Sequence, residues 1–135
     1  MIAILKAFRD ALVADATLLT LVPAANIYAG LRDEKTPIPA IDVFPIPSPD
    51  ERYAGAAIGG LTKATEVMQI SVFQVGTSDA MTIADRIREI MIGDNATLNT
   101  VGVQNIEYIG GTQMIEANMI HIPMRYRFNY HYKIT

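Results

Sequence analysis

The sequence predicts an α+β domain: one antiparallel or mixed β-sheet of four to five strands, with helices packed on one face. Three observations carry that expectation. First, in the closing stretch "MIHIPMRYRFNYHYKIT" every even position from Ile120 to Ile134 is apolar or aromatic, and every odd position is polar or proline. A period of two held that long marks a strand with one buried face. Second, "TSDAMTIADRIREIMIGDN" sets Ala80, Ile83, Ala84, Ile87, Ile90 and Met91 on one helical stripe. Third, strand-like and helix-like segments alternate along the chain in the order α(α)ββ–loop–βαββ.

Each element has a local reason. In "IAILKAFRDALVAD" Ile4, Leu5, Phe8, Ala11 and Leu12 recur at helical spacing, while Lys6, Arg9 and Asp10 fall off the stripe. This predicts a helix over about residues 2–14. Asp15 is a good N-cap for a short second helix, or a continuation, that runs to Val22 before Pro23. "NIYAGL" and "IPAIDVF" read as two short strands joined by the charged turn "RDEKTP". Pro37 and Pro39 bias the second of them toward extended structure and toward a sheet edge. Residues 63–75 read as a central strand, because Met68, Ile70 and Val72 line one face while Val67, Phe73 and Val75 line the other. The long helix that follows is expected to be capped by Ser78 or Asp79 and ended by Gly93. "VGVQNIEYIGG" is a further strand, closed by Gly110-Gly111, and "TQMIEAN" belongs to the connection before the last strand.

Composition narrows the function classes. A chain of 135 residues suits a single domain, 1–135. No apolar run approaches the ~20 residues of a membrane span, and "MIAILKAFRDALV" carries internal charges unlike a signal peptide. The absence of cysteine excludes disulfides, zinc–cysteine sites and thiol catalysis, and fits assembly in a reducing cytoplasm. The net charge of −3 gives no global pull toward nucleic acid. The charge is nonetheless uneven. Residues 117–135 hold Arg125, Arg127 and Lys133 and no acid, whereas the other 116 residues carry 8 basic and 14 acidic side chains.

No catalytic constellation emerges. His121 and His131 share the polar face of the last strand but lie ten residues apart, about 33 Å, so they cannot share a metal or substrate and read as solvated. "GAAIGG" is neither a dinucleotide fingerprint nor a P-loop. Ser48, Ser71 and Ser78 sit in no nucleophile elbow. The adjacent pairs Asp33-Glu34 and Asp50-Glu51 are solvated loop acids. Arg125, Arg127 and Lys133 could track phosphates, but cross-strand or inter-subunit pairing with acids such as Glu66 or Glu107 explains them better. No cofactor, metal or catalytic residue is expected.

Two features call for a partner instead. Residues 45–62, "PIPSPDERYAGAAIGGLT", join alternating prolines to a run of Gly and Ala, with Tyr53 and Ile58 the only sizeable anchors. That composition predicts a flexible arm. The closing strand would also span about 50 Å in a domain only about 35 Å across. Either the strand bends at Pro123 or Asn129, or its end reaches a neighbouring subunit, where Tyr130, Tyr132 and Ile134 continue the apolar face and Arg127, His131 and Lys133 meet acidic surface. Tyr53, Ile58, Arg125, Arg127, Tyr130, His131, Tyr132 and Lys133 are the candidate interface residues.

The same stretches resemble bacteriophage tail terminator, or tail completion (tail-to-head joining), proteins. "LVADATLLTLV" followed by "NIYAGL" is similar to the family's opening helices and "IY" strand. "TPIPAIDVF" is similar to its proline-led second strand. "EVMQISVFQVGTSDAMTIADRIREIM" and "IHIPMRYRFNYHYK" are similar to its central strand and helix and to its terminal strand. The chain departs from the family at Pro23, where relatives often carry Gly, and in the proline-rich 45–62 loop. The resemblance implies a structural, non-enzymatic virion protein that assembles in the host cytoplasm as a homo-oligomeric ring, commonly a hexamer. It implies as partners the major tail tube protein and a head-side connector or stopper protein, with no membrane and no sequence-specific nucleic acid. Another neck or tail component of the virion, or a small enzyme with a site between subunits, stands as the alternative.

Overall fold

The computed structural model describes residues 2–33, 35–46, 61–93, 95–116 and 118–133. The chain runs through α1 (Ile2–Val13), α2 (Ala16–Leu21), a 3-10 turn (Ala24–Asn26), β1 (Ile27–Ala29), β2 (Ala40–Ile46), β3 (Leu61–Gln74), α3 (Thr77–Ile92), α4 (Ala96–Thr100), β4 (Val103–Gly110), β5 (Met114–Glu116) and β6 (Met119–Lys133). The strands form one sheet in the order β1-β2-β3-β6-β4, with β5 also on β6. β1 and β2 run parallel, and all other pairs are antiparallel. The architecture is α+β with a mixed sheet, as the sequence predicts. The sixth strand, β5, lies in "TQMIEAN" and at three residues is too short to display a period.

β3 is central, between β2 and β6, and both of its faces are buried. Met68, Ile70 and Val72 face the helices at 0 % exposure, while Val67, Gln69, Ser71 and Phe73 are also buried on the other side. β2 is not an edge strand, contrary to the bias of its prolines, because β1 covers it at residues 41–43. Pro37 and Pro39 precede the strand, and Pro45 lies beyond the covered part, so no missing N–H interrupts the β1 ladder.

The terminal strand finds its partner inside the chain. β6 pairs with β3 from Gln74↔Ile120 to Leu61↔Lys133, a ladder as long as β3 itself. β3 has the length to match it, so on this flank the whole ladder is made inside the domain. On the opposite flank β4 pairs from Val103↔Tyr130 to Gly110↔Arg125, and β5 resumes the pairing at Met114↔His121. Pro123 lies at the switch between β4 and β5, where neither strand demands its absent N–H.

The helices cover one face. Phe8 and Leu12 of α1, Leu18 of α2 and Ile83, Ile87 and Met91 of α3 pack with Met68, Ile70, Met124, Tyr126 and Phe128 of the sheet, all at most 1 % exposed. Phe8 meets Phe128 with ring centroids 5.1 Å apart, which joins the first helix to the last strand. Asp15 caps α2 as expected, accepting from the Leu18 N–H at 2.8 Å. The same carboxylate also accepts from Arg86 Nε at 2.8 Å and Nη2 at 2.7 Å, clamping α2 to α3. These bonds from Arg86 hold the Asp15 carboxyl below the usual carboxylate range. α3 begins earlier than predicted: Gly76, not Ser78 or Asp79, occupies the N-cap, and Asp79 sits in the first turn, where its charge favours the helix dipole. α4, capped by Asn95 on the Leu98 N–H, escapes prediction because five residues cannot show a helical stripe.

Candidate assembly surface

The face of the sheet away from α1 and α3 carries the chain's unusual chemistry. On β6 it presents the odd residues His121, Pro123, Arg125 and Arg127. In register beside them on β3 lie Phe73, Ser71, Gln69 and Val67. Asp42 of β2 stands opposite Ser71 and is only 2 % exposed. Arg125 donates through Nε to Gln69 Oε1 at 3.1 Å, and Gln69 Nε2 donates to Ser71 Oγ at 3.0 Å. A polar chain thus crosses from β6 into β3. Arg127 stands directly across from Glu107, without an ion pair between them among the described residues. Glu66 pairs in register with Phe128, so it belongs to the helix face and not to this one.

The segment after β1 is locked onto this face. The Gly30 N–H donates to the Val43 carbonyl at 2.7 Å, with Gly30 at φ 108°, a conformation that favours glycine. The Arg32 N–H donates to Asp42 Oδ2 at 3.1 Å, and the Arg32 guanidinium lies 4.1 Å from the Phe73 ring centroid. Phe73 in turn stacks on His121 at 4.4 Å and 18°. His121 is therefore half-buried in a stack rather than solvated. The following turn is pinned by Asp33, whose Oδ1 accepts from the Lys35 N–H at 3.0 Å and whose carbonyl accepts from the Thr36 N–H at 2.9 Å. Between the two anchors Leu31 stands 74 % exposed.

Asp42 is the electrostatic cost of that arrangement. Its Oδ1 has no hydrogen-bond partner, and burial raises its carboxyl above the usual range against the opposing pull of the Arg32 N–H and the His121 and Arg32 charges. A raised carboxyl pKa means the charged form is disfavoured in the folded state. The penalty is present at neutral pH and vanishes once pH falls below the unfolded value of about 3.9. Asp42→Asn keeps an acceptor for Arg32 and removes the charge. It is expected to raise the melting temperature at pH 7, with the gain shrinking toward pH 4. Thermal melts across that range check this, and a variant less stable at pH 7 would contradict it.

At the far side of the sheet the β4–β5 connection borders a groove of about 370 Å³ lined by Ile109, Gly111, Met114, Pro123 and Arg125, among others. Ile109 and Met114 are each 37 % exposed, and nearby Ile115 is 78 % exposed. Gly111 lies flat against β6: a Cβ there would fall 1.9 Å from the Pro123 carbonyl oxygen.

The sequence profile of the Tail completion protein gp17 family matches residues 6–131. The chain belongs to the tail completion protein family. It is thereby a structural protein of the virion tail region. Among solved structures this tail completion protein is similar in fold to a chain of the virion of a native gene transfer agent particle. The TM-score is 0.65 at 20 % identity, over 95 % of this chain and 94 % of that one. No protein with a curated description matches the sequence.

The predicted interface residues of the tail completion protein fare unequally. Arg125 and Arg127 are exposed on the open face. Tyr130 is half-buried against the core, its ring 6.1 Å from that of Phe128, so it serves the subunit's own packing first. The backbones of His131, Tyr132 and Lys133 pair with Lys63, Thr62 and Leu61. Their side chains lie outside the described residues, as do Tyr53, Ile58 and most of the predicted arm. Sequence reading did not single out the exposed Leu31, Ile109 and Met114. Their one signal was large apolar residues beside turn residues, which local pattern cannot separate from ordinary loop ends.

Proposed function

We propose that copies of this chain close into a ring, a hexamer, that caps the tail tube, stops its polymerisation and joins it to the head-side connector or stopper protein. The single observation that carries this reading beyond the family is the uncovered strand edge at the β4–β6 side of the sheet. Among the described residues β4 has no neighbour on its outer side, and β6 continues past its last β4 contact at Tyr130 through His131–Lys133 with no strand on that flank. Open edges carry unpaired N–H and C=O groups and invite another chain. A heterologous contact between copies that closes on itself gives a ring. His131, Tyr132 and Lys133 at the end of β6 continue that flank toward the neighbour, and the positive charge that Arg125, Arg127 and Lys133 give to residues 117–135 suits the acidic remainder of the chain.

Deletion of the gene is expected to leave filled heads without joined tails, together with overlong or unstable tubes. Negative-stain imaging of the purified protein at rising concentration, with and without tail tubes, is expected to show rings that seat on one end of the tube. Normal virions from the deletion strain would reject the reading. Rings bound at the other end of the tail, or on the connector alone, would favour a different neck role.

A further inference from the structure

We propose that Leu31 and Asp33 form a rigid knob that inserts into the Ile109–Met114–Arg125 groove of the next copy of this chain. This contact rests on the ring reading above and identifies the two surfaces that meet.

The knob is unusual in being both exposed and fixed. Gly30 is tied to Val43, and Arg32 is tied to Asp42 by its backbone and to Phe73 by its guanidinium. Leu31 between them shows 74 % of its surface to solvent, while Asp33 closes the following turn. A backbone already held in place on both sides of Leu31 has less conformational entropy to lose on binding. The buried, half-satisfied Asp42 finds its purpose here, since it holds the backbone that displays Leu31.

The groove supplies the matching chemistry. Ile109, Met114 and Pro123 offer apolar walls to a leucine. Arg125 spends Nε on Gln69, and its terminal nitrogens make no further contact among the described residues, so they remain for a carboxylate at the rim. Asp33, two residues beyond Leu31 and exposed, is that carboxylate. Charge and apolarity thus match in the same spacing, a leucine beside an acid against an apolar groove beside a guanidinium. Knob and groove lie on the same face of the sheet, the knob anchored over β2 with Arg32 Nη2 reaching Met119 Sδ of β6 at 3.5 Å, and the groove between β6 and the β4–β5 connection. They are distinct surfaces, so a contact in which the knob of one copy enters the groove of the next is heterologous, the kind that closes a ring.

Leu31→Asp destroys the knob and leaves the groove, and Met114→Asp does the reverse. Both positions are exposed, and circular dichroism is expected to show both variants folded. Each alone is expected to raise the concentration at which rings form by about tenfold or more. Mixed together they retain one intact contact, so sedimentation is expected to show a 1:1 heterodimer and no ring. Asp33→Lys and Arg125→Glu are each expected to weaken assembly and, combined in one chain, to restore it. Rings from either single variant at wild-type concentration, or a mixture that stays monomeric, would overturn this contact while leaving the ring reading intact. A wild-type protein that forms no ring, with or without tail tubes, would overturn both.

Discussion

Phe128→Ala is expected to lower the unfolding free energy by about 3–5 kcal/mol, the usual cost of emptying an aromatic site in a core. Phe128 is 1 % exposed and joins three parts of the chain. It contacts Phe8 of α1, borders Tyr130 on its own strand and stands opposite Glu66 of β3. The helices and the sheet both surround the site, so neither can collapse into the void without giving up its other contacts. Domains of this size hold only about 5–15 kcal/mol in total, so the variant should melt early and express poorly. Urea unfolding followed by circular dichroism measures the loss. A change below about 1 kcal/mol would show that the α1–β6 junction is looser than its geometry. Leu31→Ala serves as the surface control, with an expected change within about 0.5 kcal/mol.

Gly111→Ala is the second large effect. The added Cβ would meet the Pro123 carbonyl oxygen at 1.9 Å and the Met124 Cα at 3.2 Å. These are backbone atoms of the most extensively paired strand, so the neighbour cannot swing aside as a flexible side chain would. The β4–β5 connection must lift from β6 instead, which costs about 3 kcal/mol or more by comparison with severe overpacking. Gly110 compounds the demand, because its φ of 128° is itself a glycine conformation. Hydrogen exchange is expected to report the damage locally. Protection should be lost at β5 and the end of β4 before β3 changes. Ring assembly should fail with it, because the same connection walls the groove that takes Leu31. An alanine variant as stable as wild type would show that the connection has slack to move.

Much of this was legible from residue order alone. The alternation from Ile120 to Tyr130 specified which side chains of β6 enter the core, since a strand's faces follow from its period. The stripe from Ala80 to Met91 specified the buried side of α3, and apolar residues on both faces of 63–75 marked a central strand. Asp15 declared itself a cap by its type and place. What escaped was whatever depends on meeting a distant residue. Arg86 looked like one more surface charge until α3 brought it to Asp15, and His121 looked solvated until the Arg32 turn and Phe73 closed over it. Leu31 looked like the end of a strand.

The sequence by itself determined the α+β class, the inward face of each long element and the resemblance that family membership confirms. These follow from periodicity and capping, which act over a few residues and are written in their order. The tertiary structure alone decided that β6 pairs with β3 from Ile120 to Lys133, that β2 lies inside the sheet, and that an exposed leucine and an apolar groove stand on the same open face. Pairing joins segments some sixty residues apart, as in Ala64↔Tyr130. The choice among possible partners depends on the summed burial and hydrogen bonding of the whole sheet, which no local stretch of the chain encodes.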